Sequence, residues 1–141
     1  MKVKIADKID DINICYKLRE IIFIDGQNVP LERERDDEDN TATHFLLIDI
    51  NNKAIGVARV VMNSNTATIG RLGVLEQHRK QGAGKFLMQN ILDFCERQKV
   101  KKIVLGAQEH AIKFYKKFNF EIISEKYMDA NIAHFKMQLK V

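Results

Sequence analysis

The chain changes its hydrophobic period across a basic, glycine-bearing junction, and that change limits its fold more than any other feature. Thr66 to Val74 reads as a strand. After the junction, Gly84 to Gln98 carries Leu87, Met88, Ile91, Leu92, Phe94 and Cys95 at spacings of three and four, the mark of a core-facing helix. Lys102 to Gly106 then returns to a short apolar strand. Strand, helix and strand in that order imply a right-handed crossover between parallel strands, so the chain is committed to a mixed α/β sheet.

The rest of the sequence fills in around that unit. Residues 2–6 alternate as a first strand, and Lys8 to Phe23 repeat Ile12, Cys15, Tyr16, the stem of Arg19, Ile22 and Phe23 at helical spacing. Asp25-Gly26-Gln27-Asn28-Val29-Pro30 ends that helix. An acidic stretch follows, Glu32 to Asp39, expected as a loop or a short solvated helix. His44 to Ile50 and Ala54 to Met62 flank the turn Asn51-Asn52-Lys53, and Asn63-Ser64-Asn65 turns the chain into the Thr66 strand, making an antiparallel meander. Ala107 to Phe118 reads as a second helix, and Phe120 to Lys126 and Ile132 to Leu139 as closing strands. No repeat, linker or low-complexity segment interrupts this order, so the 141 residues are expected to form one α/β domain.

Composition narrows the class. With 45% hydrophobic and 30% charged residues, the chain is neither disordered nor fibrous. No apolar run approaches the roughly 20 residues that span a bilayer, and the alternating start lacks the apolar block of a signal peptide. A cytoplasmic protein without a membrane role is expected. Cys15 and Cys95 stand far apart in helical segments and read as buried free thiols; nothing shows metal-ligand spacing. A net charge of +4 suits a polyanionic partner, either nucleic acid or a phosphate-rich cofactor. Nucleic acid is disfavoured, because the aromatic residues fall on core stripes and an acidic stretch interrupts the basic segments.

The junction reads Val74-Leu75-Glu76-Gln77-His78-Arg79-Lys80-Gln81-Gly82-Ala83-Gly84-Lys85. The first N–H groups of a helix have no internal partner, and the helix dipole makes that end positive. Glycines clear side chains from those groups, and Arg79, Lys80 and Lys85 add positive charge, so the segment can cradle a pyrophosphate. The plainer reading is that Gly82 and Gly84 only shape the turn. Neither a Gly-x-x-x-x-Gly-Lys-Ser/Thr loop nor a Gly-x-Gly-x-x-Gly fingerprint is present. Upstream, Gly70 and Gly73 within a strand mark a bulge or a close approach. A strand splayed there could pair with an extended, amide-bearing ligand such as pantetheine.

With these residues in view, the chain resembles the GNAT superfamily of N-acetyltransferases over essentially its whole length. Arg79-x-x-Gly82-x-Gly84 looks like that family's acetyl-CoA motif, and Ala111-x-x-Phe114-Tyr115-x-x-x-Asn119-Phe120 looks like its Ala-x-x-Phe-Tyr-x-x-x-Gly-Phe segment. Arg19-x-x-Ile22-Phe23 leading to Gln27, His44, Gly70-Arg71, Ala107-Gln108 and Ile132-x-His134-x-x-Met137 resemble a narrower bacterial branch, the ElaA/YjcF-like acetyltransferases. The resemblance implies a single GNAT-like fold, a mixed central sheet with an antiparallel N-terminal meander and a parallel splayed pair flanked by helices. It implies acetyl-CoA as co-substrate, no metal, and a small-molecule or peptide amine as acceptor. Carried over by position, Leu72, Gly73 and Val74 would meet pantetheine, and Arg79, Lys80, Gln81, Gly82, Ala83, Gly84 and Lys85 the pyrophosphate. Gln108 stands where the family often has Asn, Asn119 where it has Gly, and Gly26 where the branch commonly has Glu.

Tyr115 is the expected proton donor to the departing thiolate; its alternative is packing beside Phe114 and Phe118. Direct attack by the amine follows from the lack of a recognisable nucleophile. His44, His110, His134 and Glu109 are candidate bases with none preferred, and His78 is expected beside the cradle. The acidic stretch could attract a cationic amine or could be merely solvated. Two further readings stay open at this point: an acyl-CoA-binding sensor or partner module without turnover, and a homodimer pairing through Ile132 to Leu139.

Overall fold

A computed structural model describes residues Met1–Val141. The meander forms where its turns allow it. Asp49 accepts hydrogen bonds through Oδ1 from the N–H groups of Asn51 and Lys53, both at 2.9 Å, while Asn52 (φ 64°) and Ser64 (φ 54°) take the left-handed turn positions. The strands are β1 (Lys2–Ile5), β2 (Thr43–Ile48), β3 (Ala54–Asn63), β4 (Thr66–Val74), β5 (Lys102–Gln108), β6 (Glu121–Ile122), β7 (Tyr127–Asp129) and β8 (Ile132–Lys140). They make one sheet in the order β1-β2-β3-β4-β5-β8-β6, with β7 also on β8. Only β4 and β5 are parallel. The helices are α1 (Ile9–Arg19), α2 (Leu31–Glu34), α3 (Ala83–Arg97) and α4 (Ile112–Lys116). This is the mixed α/β fold expected from the sequence.

β2 shows why the sheet is covered on both faces. Phe45 and Leu47 join one core cluster with Leu87, Met88 and Ile91 of α3, while Leu46 and Ile48 join another with Cys15 and Leu18 of α1. Alternate residues therefore go to opposite layers, and the strand reads as a continuous apolar run. Burying each such side chain contributes roughly 1.5–3 kcal/mol. Cys15 and Cys95 are both free and buried. No helix is long and apolar enough to cross a membrane.

β4 and β5 part company halfway. Their ladder runs from Thr66↔Lys102 to Ile69↔Leu105 and stops. Beyond it, β4 stays with β3 up to Gly56↔Val74, and β5 stays with β8 up to Gln108↔His134. The cause lies in β4. Arg59 pairs with Gly70 and Val57 with Gly73, so Arg71 and Leu72 together face Ala58, a β-bulge. The strand glycines foretold a bulge, yet its positive φ (50°) falls on Arg71.

Several expectations need correction. The helix read over Lys8 to Phe23 stops at Arg19 and continues as a π-helical turn, Glu20–Asp25, which buries Ile22 and Phe23. The helix read from Ala107 starts later: β5 runs on to Gln108 because its ladder with β8 holds it, and a 3₁₀ turn (Glu109–Ala111) precedes α4. The strand read from Phe120 shrinks to β6, and the chain adds β7, whose turn into β8 uses Ala130 (φ 50°) and Asn131 (φ 63°). Asn119 adopts φ 71°, so the turn expected of Gly survives there. β8 is no free edge for pairing with a second copy, since β5 covers one side and β6 and β7 the other. The acidic stretch is not solvated throughout: it folds into α2 and a 3₁₀ turn (Asp37–Asn40), with Glu34 and Asp39 buried.

Candidate active site

The splay opens a cavity of ≈ 680 Å³ between β4 and β5. Six of the twelve residues expected to hold the cofactor or donate the proton line it together: Leu72, Gly73, Val74, Arg79, Gln108 and Tyr115. The other six, Lys80, Gln81, Gly82, Ala83, Gly84 and Lys85, do not line it; they form the loop and first turn of α3 just beyond Arg79. Gly82 caps α3 with φ 79° and no side-chain hydrogen bond to the helix end. A Cβ on Gly82 would meet nothing within 4 Å, and one on Gly84 would only touch the Phe114 ring at 3.6 Å. Ala83, the first residue of α3, is buried, but Gly82 before it is exposed, so the helix's N–H groups are free of side-chain caps and its positive end is unmasked. Lys80 (φ 64°), Gln81 and Lys85 are exposed around it. Arg79 is fixed by a 2.9 Å hydrogen bond from Nε to the Val74 carbonyl, which ties the loop to the end of β4. These features fit a polyphosphate carried by backbone donors.

Gly73 is a close-approach position. A Cβ there would lie 2.8 Å from Ile22 Cγ2 and 3.1 Å from Phe23 Cζ. The π-helical turn thus presses both side chains onto β4 where a larger residue would push them off.

Tyr115 packs among aromatic rings and also reaches the cavity. Its ring makes edge contacts with Phe114 (5.2 Å) and Phe120 (6.1 Å), and the residue also lines the cavity. Burial alone pushes its phenol up to about 12, so it stays protonated at neutral pH. Gln108 donates from Nε2 to Gln27 Oε1 at 2.8 Å and accepts from His110 Nε2 at 2.7 Å. This chain of side chains ties the loop before Pro30 to the end of β5.

The candidate bases separate. His44 is buried with Nε2 2.9 Å from the Asp39 carbonyl and is not at the cavity, so its place is structural. Glu109 is paired with Lys126 on the surface at 3.1 Å. His78 lies in a 3₁₀ turn, Glu76–His78, also off the cavity. His110 and His134 line the cavity, the latter with Nδ1 2.7 Å from the Ile132 carbonyl and its ring stacked on Tyr127.

The far end of the cavity holds a charged network that sequence reasoning missed. Arg19 is fully buried; its Nε donates to Glu34 Oε2, its Nη1 to Asp39 Oδ1 and its Nη2 to the Glu34 carbonyl, each at 2.7 Å. Arg59 Nη1 donates to Asp36 Oδ1 at 2.6 Å and to Asp39 Oδ1 at 2.8 Å. Arg71 Nε donates to the Glu34 carbonyl at 2.9 Å. Burial pushes the Asp39 carboxyl upward, but hydrogen bonds from Arg19 and Arg59 outweigh it and hold the group well below the usual carboxylate range. The Arg59 hydrogen bond likewise lowers Asp36. A signal existed: Arg19 on the buried stripe of α1 and Arg59 inside an apolar strand each require carboxylate partners. Three guanidinium groups (Arg19, Arg59, Arg71) face four carboxylates (Glu34, Asp36, Asp39 and the exposed Glu38, 3.6 Å from Arg59 Nη2), so the negative charge of the acidic stretch is paired at this end. No group of three or more His, Cys, Asp or Glu side chains could hold a metal ion.

Comparison with known proteins adds the family. The model of an acetyltransferase (GNAT) domain matches residues 23–141. "Uncharacterized N-acetyltransferase YjcF" of Bacillus subtilis (strain 168) is 33% identical over 138 residues, 97% of this chain and 98% of that one. The crystal structure of Escherichia coli ElaA superimposes with a TM-score of 0.88 at 28% identity, covering 98% of this chain and 99% of the other. A GNAT family acetyltransferase from Elizabethkingia anophelis, solved with acetyl-CoA bound, has a TM-score of 0.77 at 18% identity over 99% of this chain and 97% of that one.

Proposed function

The chain belongs to the GNAT acetyltransferase family and is an acyltransferase, and from that premise we propose that it transfers an acetyl group from acetyl-CoA to a primary amine by direct attack, as one domain over residues 1–141. The observation that carries this reading is the cavity between the splayed strands, with Arg79 at its margin next to the start of α3 and Tyr115 in its wall.

Each part of the chain has a task. The free N–H groups at the start of α3, framed by Lys80, Gln81, Gly82, Ala83, Gly84 and Lys85, bind the pyrophosphate, and Arg79 adds a fixed cation. Leu72, Gly73 and Val74 lie on the stretch of β4 that β5 has left, so their backbone can accept an extended amide chain as an added strand. Bound acetyl-CoA supplies an activated thioester. A backbone N–H near Val74 polarises its carbonyl. Tyr115 donates a hydrogen bond to the leaving sulfur. A phenol near 12 is a weaker acid than a thiol near 8.5, so complete proton transfer from Tyr115 is coupled to the proton released by the amine. His110 and His134 are the cavity imidazoles within reach of that proton. Gln108, held by Gln27 and His110, fixes the cavity wall at the end of β5.

The test is amine-dependent release of free thiol from acetyl-CoA across a panel of primary amines. Tyr115→Phe is expected to lower kcat about 10²-fold or more while acetyl-CoA binding persists. Undiminished turnover by that variant removes Tyr115 from the mechanism, and no amine-dependent release by the wild type removes the reaction itself.

A further inference from the structure

Arg71 stands in a conformation that its own side chain does not favour. Its φ of 50° costs a non-glycine residue roughly 1–2 kcal/mol, although Gly70 and Gly73 lie on the same strand. A bulge re-aims a side chain, and this one directs Arg71 into the cavity wall, where a quarter of the side chain stays exposed. A guanidinium has five N–H donors. Nε serves the Glu34 carbonyl at 2.9 Å, and Nη2 serves the Arg33 carbonyl at 3.2 Å and Asp36 Oδ2 at 3.3 Å. Both donors of Nη1 are left without a protein partner. The carboxylates around the cavity already have guanidinium partners: Glu34 and Asp39 with Arg19, Asp36, Glu38 and Asp39 with Arg59, and Asp129 with Arg33.

On the reading of the site as an acetyl-transfer cavity, we infer that Arg71 is a specificity residue, and that the amine acceptor carries an anionic oxygen group, a carboxylate or a phosphate, that Nη1 of Arg71 binds. Three residues of extended chain, about 10 Å, separate Arg71 from Val74. That spacing accommodates an amine and an anion on one small molecule or at one end of a peptide. Burial first, then the guanidinium groups of Arg59 and Arg19, disfavour the charged form of Arg71 against the opposing pull of Glu34 and Asp36, so an anion on its free Nη1 would favour that charge. A polyamine or other dication, which the acidic sequence alone would have suggested, meets at this end only carboxylates that already have arginine partners.

Matched acceptors test this with the intact protein and acetyl-CoA. β-Alanine is compared with β-alaninamide, phosphoethanolamine with ethanolamine, and putrescine serves as the dication, all read by thiol release. The anionic member of at least one pair is expected to show kcat/KM about tenfold or more above its neutral partner, chiefly through KM, the size of one charged hydrogen bond; the pair that shows it distinguishes carboxylate from phosphate. Arg71→Gly suits the left-handed position better than arginine does, so the variant folds, and the anion-to-neutral ratio is expected to collapse towards one. A purely structural role would lower both members together and leave the ratio intact, which overturns the inference. Equal use of anionic and neutral amines by the wild type, or preference for putrescine, also overturns it while leaving the acetyltransferase reading standing. No release with any of these amines counts against both.

Discussion

The two ends of the cavity are built from opposite materials. Just past Arg79 at the cavity margin, the loop into α3 offers backbone: an uncapped helix start, Gly82 in a left-handed position, and Gly84 against only the Phe114 ring. The other end offers side chains, with Arg19, Arg59 and Arg71 locked against Glu34, Asp36 and Asp39. Backbone donors can be spared by removing side chains, so the first end tolerates exposure and depends on glycine. Buried charges can be held only by exact partners, so the second end is closed and interdependent. On the proposed function, the first takes the pyrophosphate of acetyl-CoA. The second is where acceptor choice can differ from one chain to the next.

This contrast is sharpened first at the charged end. Replacing Arg19 by Met keeps most of the volume but strips the buried Glu34 of its closest partner, and about 3–5 kcal/mol of stability should be lost, measured by urea unfolding. A loss below about 1 kcal/mol would mean that the network contributes little. Acid should act on the same groups. Asp36 and Asp39 have folded-state values below their unfolded ones near 3.9. Their stabilisation is therefore complete above about pH 4 and falls away as pH drops through the folded values. Thermal midpoints of the wild type should fall steeply below pH 4, and those of Asp39→Asn, already lower at neutral pH, should fall less. Where the two ends meet, Gly73→Ala should cost about 1–3 kcal/mol by pressing on Ile22 and Phe23; an unchanged melting temperature would show that the π-helical turn yields freely.

Legibility in the sequence followed the same division. The glycine junction, the helix after it and the crossover could be read because each is a local matter of period and turn chemistry, and the meander announced itself through Asn-rich turns. Tyr115 and Gln108 came only through resemblance to a family motif. In the sequence Arg19 counts only for its aliphatic stem, and the acidic stretch reads as a loop or a short solvated helix, because their pairing spans 15 to 20 residues and depends on how α1, α2 and β3 converge. Arg71 was hidden for a different reason: a positive φ at a bulge is read from glycine, and here the glycines flank the residue that adopts it. The π-helical turn and the extension of β5 to Gln108 were settled by packing and by the β8 ladder, both of which override local propensity.

Calorimetric titration of acetyl-CoA into wild type, Gly82→Glu and Tyr115→Phe tests most directly whether backbone donors at the start of α3 hold the cofactor, as proposed. Gly82→Glu sets a strained residue and a negative charge at an open left-handed position, so binding should be lost there and kept in the wild type and in Tyr115→Phe. Equal binding by all three would contradict the claim that α3 carries the pyrophosphate, and no binding by the wild type would contradict the whole account.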